Sequence, residues 1–462
     1  MIGNRRIALC MFVLLAAAAE SVAAATSPAV QASLKAGRPF VAGELLVQFK
    51  PGASEAAKAA ALGRQGAQAT RTLLGKARRK DAKGDLVQAQ LGKGRKVDAA
   101  LLARLAADPA VDFVEPNWIY RSQQSNPDDP GLGKLWGMQG ASTSPAHPYG
   151  SGALAAWNAD ALCSSQVHVG IVDEGLMTSH PDLRANVWVN PGEGSRADRK
   201  DNDGNGLVDD IHGWDFVGNN ASVFDSTVDD HGTHVAGTVA AQANNATGVF
   251  GVCPSARLIS AKFLGSNGGT TAGAVQAINY LTELKLAKKI RLVATNNSWG
   301  GGGYSQALYD AIQTAGRANI LFVAAAGNSG SSNDTTPSYP ASYALPNLIA
   351  VAAIGPSGQL AGFSNYGPNS VHIAAPGVDI LSSVPTSKRA GGYAYMSGTS
   401  MAAPHVTGAA ALYASLNPCA SAAQIREALL RLAVRDPQLT GLVQQTRRLD
   451  ASKIRAELAC AP

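Results

Sequence analysis

Gly398-Thr399-Ser400-Met401-Ala402-Ala403-Pro404-His405 is the stretch around which this 462-residue chain is organised. A loop rich in glycine and tyrosine, Gly391-Gly392-Tyr393-Ala394-Tyr395, runs into it. Val406-Thr407-Gly408-Ala409-Ala410-Ala411-Leu412-Tyr413 follows, small and apolar at helical spacing. Ser400 is therefore expected at the mouth of a helix, where unpaired N–H groups and the positive dipole end favour developing negative charge. Two readings are open on these residues alone: a cap, the commonest use of Ser or Thr at such a junction, or a nucleophile.

Outward from that stretch, short apolar runs alternate with helical patterns. Val167-His168-Val169-Gly170-Ile171-Val172-Asp173 reads as a strand ending in an acid, as do residues 256–263, 292–298, 320–326 and 348–353 without the acid. A helix is expected over 271–287. Near-continuous apolar strands separated by helices indicate an α/β fold, a doubly wound, mostly parallel sheet with helices on both faces. In such sheets ligands bind outside the carboxyl ends of the strands. Asp173 lies at such an end, although a turn or capping acid is equally at home there. His231 stands in Asp230-His231-Gly232-Thr233-His234-Val235-Ala236-Gly237, opening a small-residue helix. The two histidines three apart lack the four-residue spacing and intervening Glu of a zinc protease. His234 reads instead as a buried residue holding the helix against the sheet.

Asp173 in Gly-Ile-Val-Asp-Glu-Gly, His231 in His-Gly-Thr-His-Val-Ala-Gly and Ser400 in Gly-Thr-Ser-Met-Ala-Ala-Pro-His, in that order, resemble the subtilisin-like serine proteases over roughly residues 130–455. The resemblance implies an endopeptidase acting through an acyl-enzyme. Ser400 would be the nucleophile, His231 its general base, and Asp173 the group that orients the imidazole. Asn328, in Ala326-Gly327-Asn328-Ser329, would match the family's oxyanion-hole amide and act with the Ser400 N–H. Substrate would pair as an added strand with Ser298-Trp299-Gly300 and with Ala326-Gly327, where glycine lets a backbone approach. No charge in these segments enters the primary pocket, so an apolar or aromatic preference is expected there, unless nearby Asp334 alters it. Glu174 departs from the family, which usually has a small polar residue after the acid. A catalytically inactive binding or inhibitor protein on the same fold is the alternative, and the filled catalytic positions argue against it.

Asp201-Asn202-Asp203-Gly204-Asn205-Gly206-Leu207-Val208-Asp209-Asp210 places acids and an amide at alternating positions with a glycine sixth, like the start of a calcium loop. It is not an EF-hand, since His212 stands where the twelfth-position Glu would be. The alternative is a charged surface loop. The family's calcium-binding inserts favour Ca²⁺, with Asp201, Asp203, Asn205 and Asp210 offering side chains and Leu207 a carbonyl.

The front of the chain differs in charge from the body. Between Ala29 and Ser122 there are 16 Lys/Arg against 8 Asp/Glu; from Gln123 onward there are 21 against 24. The basic residues are scattered without interleaved aromatics, which argues against nucleic-acid binding and for an intramolecular partner. Residues 26–37 read as a linker. Strands at 42–50, 86–91 and 111–118 and helices at 54–64 and 97–107 give a small β-α-β-α-β unit. Residues 38–122 resemble the family's inhibitory, chaperoning propeptide, so the enzyme would be a zymogen that cuts itself between about 119 and 128, in the polar, proline-bearing segment there. Arg5 and Arg6 before the apolar run Ile7 to Ala19, with Ala23-Ala24-Ala25 after it, predict a secretory signal over residues 1–25. No later run is long enough to span a bilayer. The mature domain, 130–460, is expected outside the cytoplasm (extracellular or periplasmic), as an unanchored monomer acting on proteins and peptides. Beyond Cys10, four cysteines remain, an even number that favours disulfides in an exported chain. The family sheet would bring Cys163 to Cys253, leaving Cys419 to tie the late helix to Cys460.

Overall fold

The computed structural model describes residues 27–38, 40–74, 84–118, 126–288 and 290–458. The expected signal and Cys460 lie outside them. Contacts divide the chain into two units, residues up to Ser122 and from Gln123 onward.

In the first unit, α1 (Pro28–Lys35) replaces the expected linker. Ser27 caps it and Pro28 opens it, together pre-forming the first turn, and Val30 and Leu34 set a half-buried edge against the core. There follow β1 (Phe40–Phe49), α2 (Glu55–Arg64), β2 (Ala67–Leu74), β3 (Leu86–Leu91), α3 (Ala99–Ala106) and β4 (Val111–Trp118). The four strands are antiparallel in the order β2-β3-β1-β4. β2 is an addition to the sequence reading. Its Ala-Gln-Ala-Thr-Arg-Thr segment is almost wholly exposed, so it has no apolar alternation, and pairing along β3 holds it as an edge. Leu45, Val47, Phe49, Leu102 and Leu105 form the centre of this unit's own core.

The second unit contains α4 (Ala153–Asn158), β5 (Val167–Asp173), β6 (Gly213–Asp215), α5 (Asp230–Ala240), β7 (Arg257–Lys262), α6 (Thr271–Lys288), β8 (Arg291–Asn297), α7 (Gln306–Arg317), β9 (Leu321–Ala325), β10 (Leu348–Ile354), β11 (Ile373–Pro376), β12 (Ile380–Pro385), β13 (Gly391–Met396), α8 (Thr399–Leu416), α9 (Ala422–Leu432), β14 (Val434–Arg435) and β15 (Arg447–Arg448). The main sheet runs β14-β15-β11-β10-β9-β8-β5-β7-β6, parallel except at the β14–β15 edge. Alternate residues feed two cores. Val169, Ile171, Val323 and Ile349 meet Ala236, Val406 and Leu429 from α5, α8 and α9. Val172, Phe322 and Leu348 meet Ile278, Leu281 and Ile312 from α6 and α7. Burial on both faces is why these strands lack a polar alternation. Helix α8 is buried from Met401 to Ala414, which accounts for its small, apolar residues on every side.

β5 lies between β7 and β8, so the chain order reverses across it. That is the topological switch point, and Asp173 ends the strand there. Cys163 and Cys253 are joined by a disulfide just ahead of β5 and β7, closing 90 residues of chain. On loop-entropy grounds such a link stabilises by about 4–5 kcal/mol. Cys419 is disulfide-bonded as well. Among the described residues no helix is long and apolar enough to cross a membrane.

Candidate active site

Asp173 is fully buried at the end of β5, and its Oδ1 accepts a hydrogen bond from His231 Nδ1 at 2.8 Å. The closeness depends on two glycines. A Cβ on Gly232 would lie 2.0 Å from the Gly175 carbonyl, and Gly175 itself has φ +115°. The first turn of α5 can thus rest directly on the turn after β5. Lys262, the last residue of β7, is 2% exposed. It donates to Asp229 at 2.7 Å and to the backbone carbonyl of Glu174, tying that turn to the start of α5. Sequence reasoning missed Lys262; its one trace is a lysine ending an apolar strand. His234 holds α5 not to the main sheet but to the β12–β13 ribbon, through the carbonyls of Ile380 and Ala394.

Burial opposes charge on His231, but the charge and hydrogen bond of Asp173, with the charges of Glu174 and Asp230, outweigh it. The imidazole is pushed up to about 9. Burial, followed by repulsion from Asp173, pushes the Glu174 carboxyl up to about 7.

Ser400 is the second residue of α8. Pro404, four residues on, has no N–H for the Ser400 carbonyl. Ser298 Oγ fills that vacancy at 2.7 Å, while the Ser400 hydroxyl donates to the Ser298 carbonyl at 3.1 Å. The end of β8 and the start of α8 are clasped by this reciprocal pair, and in this rotamer the hydroxyl is turned to Ser298 rather than to His231.

Asn328 Oδ1 accepts from both the N–H (2.9 Å) and the hydroxyl (2.8 Å) of Thr399. Two donors on one atom fix the amide's orientation and leave Nδ2 as the outward donor. A Cβ on Gly398 would lie 3.5 Å from Asn328 Nδ2 and 3.5 Å from the Ser400 N–H nitrogen. Glycine there keeps open the space that both donors border.

A cleft of about 540 Å³ runs from His231 and Glu174 between residues 268–271 and 298–303, over Phe263, Leu264, Leu308 and Tyr339. Ser298, Trp299 and Gly300 line it. Trp299 is steadied by the rings of Phe263 and Phe322. Ala326 and Gly327 do not line it. Their N–H groups are committed to Val351 O and Thr399 Oγ1, so this segment supports Asn328 instead of offering a strand edge. The opposite rim is Gly268-Gly269, which sequence reasoning passed over although its paired glycines mark a close approach. Asp334 is bound by Asn369 and Ser370, away from the cleft lining.

The acidic loop folds on itself. Asp201 accepts the N–H groups of Gly204, Asn205 and Gly206, and Asp203 that of Asn205. Glu193, which sequence reasoning missed, joins Asp201 and Asp203, one carboxylate oxygen of each lying within 4.8 Å of the others. Glu193 is 3% exposed and its Oε2 is buried with no hydrogen-bond partner. Asp210 turns away, to the amides of Asn190 and Asn205 and the hydroxyl of Tyr280. Asn205 Oδ1 is taken by the Leu207 N–H. A partnerless buried oxygen among three carboxylates suits a hard, oxygen-seeking cation.

The chain matches the subtilase family over residues 164–451 and the fervidolysin N-terminal prodomain over residues 26–117. It is 36% identical over 379 residues to a thermophilic serine proteinase of Bacillus sp. strain AK1, covering 81% of this chain and 79% of that protein. It is 37% identical over 332 residues to an alkaline protease of Shouchella clausii, covering 71% and 70%. Among solved structures, a protease from Pseudoalteromonas arctica matches with TM-score 0.54 and 29% identity, over 71% of this chain and 98% of that one. The chain belongs to the subtilase family as a subtilisin-like serine protease carrying an N-terminal prodomain.

Proposed function

We propose that Ser400 attacks the scissile carbonyl of an extended peptide, with His231 as general base and Asp173 as the group that holds its tautomer. The carrying observation is the hydrogen bond from His231 to the buried Asp173, at the sheet's switch point. Rotation about one side-chain bond releases the Ser400 hydroxyl from Ser298 toward the imidazole; catalytic hydrogen bonds are often unformed until substrate is present. The tetrahedral oxygen sits between Asn328 Nδ2 and the Ser400 N–H, and His231 returns its proton to the leaving amine. Water then hydrolyses the acyl-enzyme by the same steps. The glycine rims at 268–269 and 300–303 accept the peptide backbone, and the apolar lining favours apolar side chains. A serine-directed phosphonate should label the wild-type chain once, at Ser400, and leave Ser400→Ala untouched. An unlabelled wild type would sink the reading, and with it the distinction from an inactive binding protein.

The first unit acts in this reading as an intramolecular inhibitor and folding aid, and residues 1–25 direct export to a space where the Cys163–Cys253 bridge forms. Ca²⁺ is held by Glu193, Asp201 and Asp203; when bound it neutralises their mutual repulsion and pins the loop, taking no part in peptide cleavage.

A further inference from the structure

Glu174 is the only acid lining the cleft among the described residues. One of its carboxylate oxygens lies within 4.8 Å of ligand atoms on both Asp173 and His231. Its Oε2 is buried and has no hydrogen-bond partner. The nearby cation, Lys262, is committed to Asp229 and to the Glu174 backbone carbonyl, not to its carboxylate. The corner therefore puts a half-buried carboxylate, uncommitted to Lys262, on the wall of the space a substrate fills. Resting on the protease reading above, we propose that Glu174 makes the enzyme select peptides carrying lysine or arginine within two residues of the cleaved bond.

The position follows from reach. The bond must lie at Ser400 and His231, and successive Cα atoms are about 3.8 Å apart. A residue further off carries its side chain past this corner. Ammonium and guanidinium heads bring several donors each, and their stems can lie along Leu264 and Phe263.

The groups facing the Glu174 carboxyl are Asp173, His231 and Asp230, with Asp229 and Lys262 behind them. The carboxyl attracts a cation only when ionised. Its pKa of about 7 makes the preference grow as pH rises through neutrality.

Matched fluorogenic peptides with lysine or norleucine at each of the two positions on either side of the bond test this on enzyme matured from the full chain. At one position the ratio of kcat/KM values, lysine over norleucine, should be about tenfold in wild type. It should fall to near one in Glu174→Gln, be partly kept in Glu174→Asp, and be larger at about pH 8.5 than at about pH 6.5. The ratio separates binding of the cation from any effect on His231, which changes both peptides alike. A wild-type ratio near one at every position, or one that survives Glu174→Gln, overturns the inference while the protease reading stands. Failure to cleave any peptide, with Ser400 also refusing the phosphonate, overturns both.

Discussion

His231 is flanked by Asp173, Glu174 and Asp230, and in the proposed mechanism these acids set the pH at which it can activate Ser400. The ring must be neutral to accept a proton. Because they push it up to about 9, kcat/KM should climb through the alkaline range and fall as pH drops below that value. Glu174→Gln removes one of the raising charges, so the acid limb should move to lower pH. A pH–rate profile with a peptide uncharged near the bond checks this, and an unmoved limb contradicts it. Asn328 offers a second residue-scale prediction. Asn328→Leu should lower kcat by about 10²–10³ with little change in KM, a range that belongs to the equivalent amide of subtilisin itself. Asp173, His231, Asn328 and Ser400 were legible as candidates because each sits in a local motif whose shape the proposed chemistry dictates. Lys262 and Glu193 were not, since their meaning lies in partners distant in sequence: Asp229 for one, Asp201 and Asp203 for the other.

At the scale of elements, apolar runs such as 321–325 and 348–354 declared themselves as strands because both faces of the sheet are covered. β2 and α1 escaped because each buries too little to show a pattern: β2 is held by pairing along β3 with only Ala67 in the core, and α1 is a capped turn that sets only Val30 and Leu34, half-buried, against it. The loop between β5 and β6 was half legible. Its Asp-x-Asp-x-Asn spacing pointed to a cation, but which carboxylates converge depends on how the loop closes. Closure brought in Glu193 and sent Asp210 to Tyr280, where burial pushes its carboxyl up to about 6. A ligand present at 100 times its Kd stabilises by about 2.7 kcal/mol. Adding Ca²⁺ to chelator-treated protein should therefore raise Tm by about 4 °C for a unit of this size. Glu193→Gln should abolish most of that rise, whereas Asp210→Asn should retain it. Equal melting with and without Ca²⁺ would remove the cation from this loop.

For the whole molecule, the two units pose the question of where the chain is cut. Residues 126–131 are built into the second unit. Asp128 accepts the Ala246 N–H at 3.0 Å, Asp129 the Asn244 N–H at 2.9 Å, and the Gly131 N–H donates to Gly248 O at 2.7 Å. Asp129 is 3% exposed and holds the 244–249 loop through the Asn244 N–H, so a cut that removed it would cost the second unit that half-buried bond to a charged group, about 1.5–3 kcal/mol. A cut beyond Asp128 would thus weaken the enzyme it releases, whereas a cut before Asn126 costs the second unit none of these bonds. The charge division of the sequence at this same boundary, basic before it and acidic after, was legible from composition; the anchoring acids were not, because their partners lie more than a hundred residues on. We expect mass spectrometry of the mature protein to find its first residue between 119 and 126, and full-length Ser400→Ala purified alone to remain uncut. Trimming of Ser400→Ala to the same end would mean that another protease matures the chain, and a first residue beyond Asp129 would mean that these anchors are dispensable.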